Sequence, residues 1–566
     1  MSQSYQAQDA QIQAKMEGRN PWLALLVLCM GFFMILLDTT IVNIAIPSII
    51  DGLKAGLDQV LWVLNAYILV YAVLLITASR LGDRYGQRNL FVAGLAVFTA
   101  ASALCGLAQD VNQLIAARVL QGVGGAMLTP QTLAVISVMF PPERRGAAMG
   151  VWGAVAGVAA IAGPTLGGFI ITNLSWQWIF YVNVPVGIAA IILAFVFIPD
   201  LRPGRQHGWD LLGIVLSTAS LFLIVFALIE GQRYSWGTVT GFISIPVILA
   251  VGLELLVLFL IVEQYVDEPL MPLSLFQNRN FAILNWVIGA MAFGMLGLFL
   301  PLTIYLQSVV GLSAFQAGLT FAPMSVTSMF VAPFAGRLTD RIGGKYILMT
   351  GLTLFGLGMA GIDLSARLDS NWATFLPWLL VAGFGMGCIF APATTVAMRN
   401  IEPRMAGAAS GVFNTTRQLG GAIGSSIVGA VLQNRLSAAL KDQAVQRANE
   451  LPVQIPPAAK QKIVGAFNSS TSGLEVGRGQ TGAASGSVQL PANLPPALAH
   501  QVQQQVSAYF HDVFNNAYLI AMRPTLLISV AVVLVAAISC LGIQRRVVAA
   551  AAADRERERE RLVAAG

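Results

Sequence analysis

Hydrophobic positions in this chain fall in long unbroken runs separated by short polar breaks, with a segment length near 20 residues and no alternation. A run of that length crosses the hydrocarbon core of a bilayer as a helix, which satisfies its own backbone hydrogen bonds there. The runs predict fourteen spans, at 22–46, 60–79, 90–109, 112–138, 146–171, 178–198, 210–230, 240–263, 281–309, 316–336, 346–366, 373–398, 405–434 and 520–543. A membrane barrel needs dyad alternation, which these runs lack, so the expected class is an all-α integral membrane protein. The first run is too long for a signal peptide and leads directly into further spans.

Composition agrees, with 56% hydrophobic and 11% charged residues in 566, against a charged fraction of about a quarter in soluble domains. Basic residues then orient the spans, because Lys and Arg collect in cytoplasmic loops. With the N-terminus inside, the inner loops hold Arg80, Arg84, Arg88, Arg144, Arg145, Arg202, Arg205, Arg279, Arg337, Arg341, Lys345, Arg399 and Arg404, and the short outer loops only Lys54, Arg233 and Arg367. Both termini are therefore expected in the cytoplasm of a multi-pass protein of the inner membrane, with the lipid bilayer as its first partner. The net charge of +6 reflects this bias and gives no argument for nucleic acid.

The loop after span 2 reads "RLGDRYGQR" (80–88), and the loop after span 10 reads "RLTDRIGGK" (337–345). The echo makes span 10 the counterpart of span 2, so the chain parses as 6 + 2 + 6 helices in two pseudo-symmetric bundles. The expected units are a cytoplasmic segment (1–21), a first bundle (22–200), two inserted helices (201–264), a second bundle (265–543) holding a long extracytoplasmic loop (435–519), and a charged cytoplasmic tail (544–566). Two such repeats with a midplane site describe a transporter. Within the repeat, Asp83 can pair with Arg84 or Arg88 and approach a helix N-terminus, while Gly82 and Gly86 permit close backbone approach. Asp340 and Arg341 repeat the arrangement. The reading is a conformational latch; topology alone would need the basic residues but not an aspartate in the same place twice.

Ionisable residues inside a membrane are expensive and are functional candidates. Asp38 lies about 24 Å up span 1 and Arg118 about 10 Å below the outer end of span 4, depths that nearly coincide in a core of about 30 Å. Gln121 shares the face of Arg118. The trio is expected to handle protons and binding, or else to be a static ion pair between helices. Arg417, about 18 Å into span 13, is either a substrate-cavity residue or an interhelical anchor. Glu254, in an inserted span, is read as structural or accessory, and Asp363 as solvated near an outer end. Tyr67, Asn285 and Gln307 are candidates to line a substrate cavity, with Trp62 an interfacial anchor. Gly163, Pro164, Gly167 and Gly168 on span 5 suit a tight, kinked helix interface. The four cysteines have no metal-site spacing and read as packing residues. No phosphate loop, "HEXXH" or "GXSXG" motif is present, so no enzyme, cofactor or metal is expected and the energy source is a gradient.

These stretches together resemble the fourteen-helix drug:proton antiporter branch of the major facilitator superfamily. "RLGDRYGQR" is similar to its helix 2–3 signature, "LIAARVLQGVGGA" (114–126) to its helix-4 signature and "AGPTLGG" (162–168) to its antiporter signature. "LDTTIVNIAIP" (37–47) and "WQWIFYVNVPVG" (176–187) resemble markers of the branch. Ser79 stands where the family signature begins with glycine, Gln177 replaces its arginine, and span 10 lacks the acid some relatives use for divalent cations. The resemblance implies proton coupling through Asp38 and Arg118. It also implies export of hydrophobic or cationic drugs by alternating access, with protons as co-substrate; export of one endogenous metabolite, antibiotic or lipid is the alternative. The long outer loop is expected either to cap the external mouth or to meet a periplasmic adaptor.

Overall fold

The computed structural model describes residues 20–200, 210–399, 401–402, 405–448, 460, 464 and 496–544. Helices dominate, because a backbone in hydrocarbon must close its hydrogen bonds within the segment. The first six are α1 (Pro21–Leu53), α2 (Leu57–Tyr85), α3 (Gln87–Leu107), α4 (Val111–Met139), α5 (Pro142–Asn173) and α6 (Trp178–Phe197). Two more, α7 (Leu211–Glu230) and α8 (Ile245–Val262), are joined across a short hairpin of β1 (Thr238–Thr240) and β2 (Ile243–Ser244). The last six are α9 (Arg279–Ile304), α10 (Phe315–Ile342), α11 (Lys345–Ser365), α12 (Trp372–Met398), α13 (Ala406–Gln446) and α14 (Pro496–Ser539). Among the described residues, thirteen are long and apolar enough to cross a membrane. The exception is α13, whose sequence is rich in Gly, Ala, Ser and Thr; it nonetheless packs among them against α9, α14 and α2.

The first bundle forms where α4 packs on α2 and α3, and α5 on α1; the second forms where α9 packs on α13, α11 on α12, and α14 on α9, α11 and α13. The bundles meet along two seams, α5 against α10 and α2 against α13, which exchange under the 2-to-10 and 5-to-13 correspondence. On the first seam the backbones of Gly146 and Gly336 approach so closely that a Cβ on Gly336 would overlap the Gly146 carbonyl; small residues are what permit this. The inserted α7 packs on both α2 and α13, so it covers only the second seam. There Trp62 packs on Phe226, 6.1 Å between ring centroids, and is not a free interfacial anchor. Near the end of α9, Pro301 interrupts the hydrogen-bond ladder, and its carbonyl accepts from the Tyr518 hydroxyl at 2.8 Å. A π-helical turn at Tyr305–Val309 follows.

Residues 435–446 and 496–519 fall within the expected long loop but are helical ends of α13 and α14; "HQVQQQVSAYFHDVF" (500–514) is the part whose sequence suits a helix leading into the last span. Their polar sequence hides an apolar stripe: Leu436, Leu440, Val506, Tyr509 and Val513 are buried, and the Tyr509 hydroxyl donates to the Ala444 carbonyl at 2.6 Å. At 41 and 44 residues these helices are about 60 Å or more long, roughly twice the bilayer core.

Candidate functional site

Asp38, Arg118 and Gln121 come together with no solvent exposure. Arg118 Nη1 donates to Asp38 Oδ2 at 2.5 Å and to Gln121 Oε1 at 2.7 Å, and Gln121 Nε2 donates to Asp38 Oδ1 at 2.9 Å. Arg118 Nε donates to the Val63 carbonyl at 3.0 Å. Thus α1, α2 and α4 share one network, with the guanidinium 4.2 Å from the Tyr67 ring centroid. Tyr67 belongs to this cluster instead of an open cavity wall. Its hydroxyl and Arg118 Nη2 are buried without a hydrogen-bond partner, so the network retains unused donors.

Sequence reasoning missed the outer members. Gln121 Nε2 also donates to Ser102 Oγ (3.2 Å), Asn183 Nδ2 donates to the same oxygen (3.2 Å), and Ser102 Oγ donates to the Phe180 carbonyl (3.1 Å). Asn183 and Phe180 lie in the stretch "WQWIFYVNVPVG", so a signal for the region existed; Ser102 had none. Cys105 Sγ sits 3.6 Å from Gln121 Oε1, which makes this cysteine a neighbour of the network as well as a packing residue. One turn above Asp38, α5 presses on α1: a Cβ on Gly163 would overlap Thr40 and one on Gly167 would crowd Ile41, while Gly168 faces Phe315 of α10. The Pro164 side chain lies outside the described residues.

At the other end of the bundles, the repeated loops cross the interface. Asp340 accepts from the backbone N–H of Gly146 at 2.9 Å and of Ala147 at 3.2 Å, in the second turn of α5. Its counterpart Asp83 faces the N–H groups of Gly407 and Ala408 at the first turn of α13, though neither carboxylate oxygen reaches full hydrogen-bond geometry. Each aspartate of one bundle therefore faces backbone N–H groups in the first two turns of a helix of the other, where the helix dipole favours an anion. The receiving turns repeat as well, "GAAMG" at 146–150 and "GAASG" at 407–411, a second echo that would have revealed the partners. Gly86 and Gly343 end α2 and α10 with φ of 94° and 85°; their role is the left-handed turn, and close approach belongs to Gly82 against Gln131. The expected pairing within the loop does not form as drawn: Arg88 reaches Asp200 at 3.6 Å, Arg84 lies 5.9 Å from the Tyr85 ring, and Arg341 is exposed. At Asp340 the backbone N–H groups of the facing bundle take the place of the neighbouring arginine, whereas Asp83 keeps a charge partner within its own loop motif, Arg80, beside the N–H groups of α13.

Other candidates disperse. Asn285 is buried but donates to its own helix at the Phe281 carbonyl, 2.9 Å away, and Gln307 is exposed in the π-helical turn. Asp363 is buried, facing Arg523, and is not solvated. Glu254 is exposed on α8. Arg417 is half-buried in α13 with its guanidinium 5.9 Å from the Phe390 ring. At the base of the inserted hairpin, Glu263 is buried and accepts from Met271 N–H at 3.0 Å, with Asp210 beside it. Burial lifts its carboxyl from 4.5 to about 8; the Asp210 carboxylate adds to the rise, against the Met271 N–H and Arg80. Among the described residues no cluster suited to a metal ion exists.

Two bundles of six helices, a repeated interbundle contact and a buried charged network describe a membrane transporter, and residues 28–425 match the model of the Major Facilitator Superfamily. The chain belongs to the major facilitator superfamily. Among curated superfamily relatives, an uncharacterized MFS-type transporter of Mycobacterium tuberculosis is 41% identical over 461 residues, covering 80% of this chain and 78% of that one. The tetracenomycin C resistance and export protein of Streptomyces glaucescens is 34% identical over 427 residues, covering 75% and 78%. The solved structure of the human organic anion transporter MFSD10 superposes with a TM-score of 0.55 at 14% identity, covering 72% of this chain and 93% of that one, and shares the superfamily fold.

Proposed function

We propose that this transporter exports small lipophilic compounds, drugs among them, across the cytoplasmic membrane in exchange for protons, with both termini in the cytoplasm. The observation that carries the reading is the dry Asp38–Arg118–Gln121 network joining α1, α2 and α4. A carboxylate held by an arginine away from water is released when it takes a proton, because a neutral acid no longer binds the cation. Protonation of Asp38 then frees Arg118 and Gln121 to rearrange α1 against α4. The latches of Asp83 and Asp340 hold the cytoplasmic ends of the bundles together in this state, so the two halves of the exchange cycle break and remake them. A relative named for resistance to and export of tetracenomycin C supports the substrate class. The projecting ends of α13 and α14 offer an extracytoplasmic surface to an adaptor.

The test is export from proteoliposomes under an imposed pH gradient, with a dye panel that includes ethidium and resorufin. At least one dye is expected to move only while the gradient lasts, and Asp38→Asn is expected to abolish that movement. Gradient-independent movement, or full retention in Asp38→Asn, overturns the coupling.

A further inference from the structure

Among the described residues, one arginine in the bilayer half-way layer has no counter-ion, and its surroundings specify what would supply one. Phe32, Trp152 and Arg417 lie eleven, ten and eleven residues into α1, α5 and α13, about 15 to 17 Å along helices that all start from the same side. That is the middle of a core of about 30 Å. Trp152 stacks on Phe32 with centroids 4.2 Å apart and leans on Phe390 at 5.1 Å, and the Arg417 guanidinium lies over Phe390. Trp152 and Phe390 belong to different bundles, so this row bridges the interface where alternating access must open. Trp152 is wholly buried with its indole N–H unpartnered, and Arg417 Nε is also buried without a hydrogen-bond partner. Among the described residues no carboxylate pairs with Arg417, whereas the other deep arginine, Arg118, is committed to Asp38.

An unneutralised arginine and an unbonded indole N–H are both costly in a membrane interior. Both are donors only. A ligand that repairs this layer must bring acceptor oxygens and negative charge, and a flat ring system able to lie against Phe390 and the guanidinium plane. We infer that the central layer formed by Trp152, Phe390 and Arg417 binds flat aromatic compounds carrying carboxylate or phenolate oxygens and discriminates against permanent cations. The inference rests on the exporter reading for its setting and narrows its substrate class: the expectation of cationic drugs does not fit this layer, where Arg417 repels a second positive charge.

The experiment measures binding to the purified full chain at neutral to slightly alkaline pH, with resorufin, a flat three-ring anion, and thionin, a flat cation of the same size. Resorufin is expected to bind at least about 10-fold more tightly than thionin, and Arg417→Gln to weaken it about 10- to 100-fold, the worth of a charge-assisted hydrogen bond. Arg417→Lys keeps the charge without the planar fork and falls between. Trp152→Phe keeps the shelf, loses the donor, and weakens resorufin several-fold. Equal affinity for the two dyes, no binding of either, or unchanged resorufin affinity in a folded Arg417→Gln protein overturns the inference. If Arg417→Gln does not fold, Arg417→Lys decides, and wild-type resorufin affinity in that variant overturns the fork geometry. Binding and transport fail separately: gradient-driven ethidium export without resorufin binding leaves the exporter reading standing and removes this one. Arg417-dependent resorufin binding without gradient-driven transport does the reverse.

Discussion

Ser102 Oγ extends the charged network outward and carries three hydrogen bonds, two accepted from Gln121 and Asn183 and one donated to Phe180. Replacing it by alanine leaves two buried amide donors without that acceptor, and an unsatisfied buried donor costs about 1–3 kcal/mol. Ser102→Ala is expected to lower the thermal midpoint of the purified protein, while Ser137→Ala, where the hydroxyl only bonds back to its own helix at the Leu133 carbonyl, leaves it nearly unchanged. Equal midpoints for the two variants would show that Ser102 does not support the network. At this scale the sequence identified Asp38, Arg118 and Gln121 because depth along a helix follows from the rise per residue. It did not identify Ser102 or place Tyr67 on the guanidinium, because rotation of one helix against another is set by packing.

Among elements, the inserted hairpin is built on two acidic groups at its base. Asp210 caps α7 by accepting from Gly213 N–H at 2.7 Å, and Glu263 lies just past α8 beside it. A folded-state carboxyl raised from 4.5 to about 8 binds a proton that the unfolded chain gives up earlier. Folding stability therefore falls as pH rises from about 4.5 and levels off above about 8. Glu263→Gln removes that dependence, so the variant is expected to gain over the wild type between pH 6 and pH 9 in thermal denaturation. Parallel curves for the two proteins would mean that Glu263 does not titrate as described. The insert itself was legible from its two apolar runs; that it covers the α2–α13 seam and leaves the α5–α10 seam alone was not, since both seams offer similar apolar faces in sequence.

For the whole molecule, we propose that the two interbundle aspartate contacts act as one device. Asp83 and Asp340 join the bundles from opposite sides of the pseudo-symmetry, so a rocking of rigid bundles must release both together. Asp83→Asn is therefore expected to speed backbone hydrogen exchange at residues 146–150 as well as at 407–411, and Asp340→Asn to do the same with the larger effect, because its two N–H contacts are fully formed. Acceleration confined to the turn facing the substituted aspartate would show two independent contacts and remove the switching role.

By itself the sequence determined the helical membrane class, the two bundles and the insert, the positions of the two repeated-loop aspartates, and the level at which Asp38 and Arg118 meet. These follow from quantities a chain carries locally: apolar run length, the rise of a helix, and the repetition of a loop. Tertiary structure alone decided the partners. It gave Asp340 to Gly146 and Ala147, Asp83 to the first turn of α13, Ser102 to Gln121, and it left Arg417 beside Phe390 with no anion among the described residues. Each of those outcomes depends on which faces of separate helices are turned toward one another, and that is fixed by close packing of residues far apart in the chain.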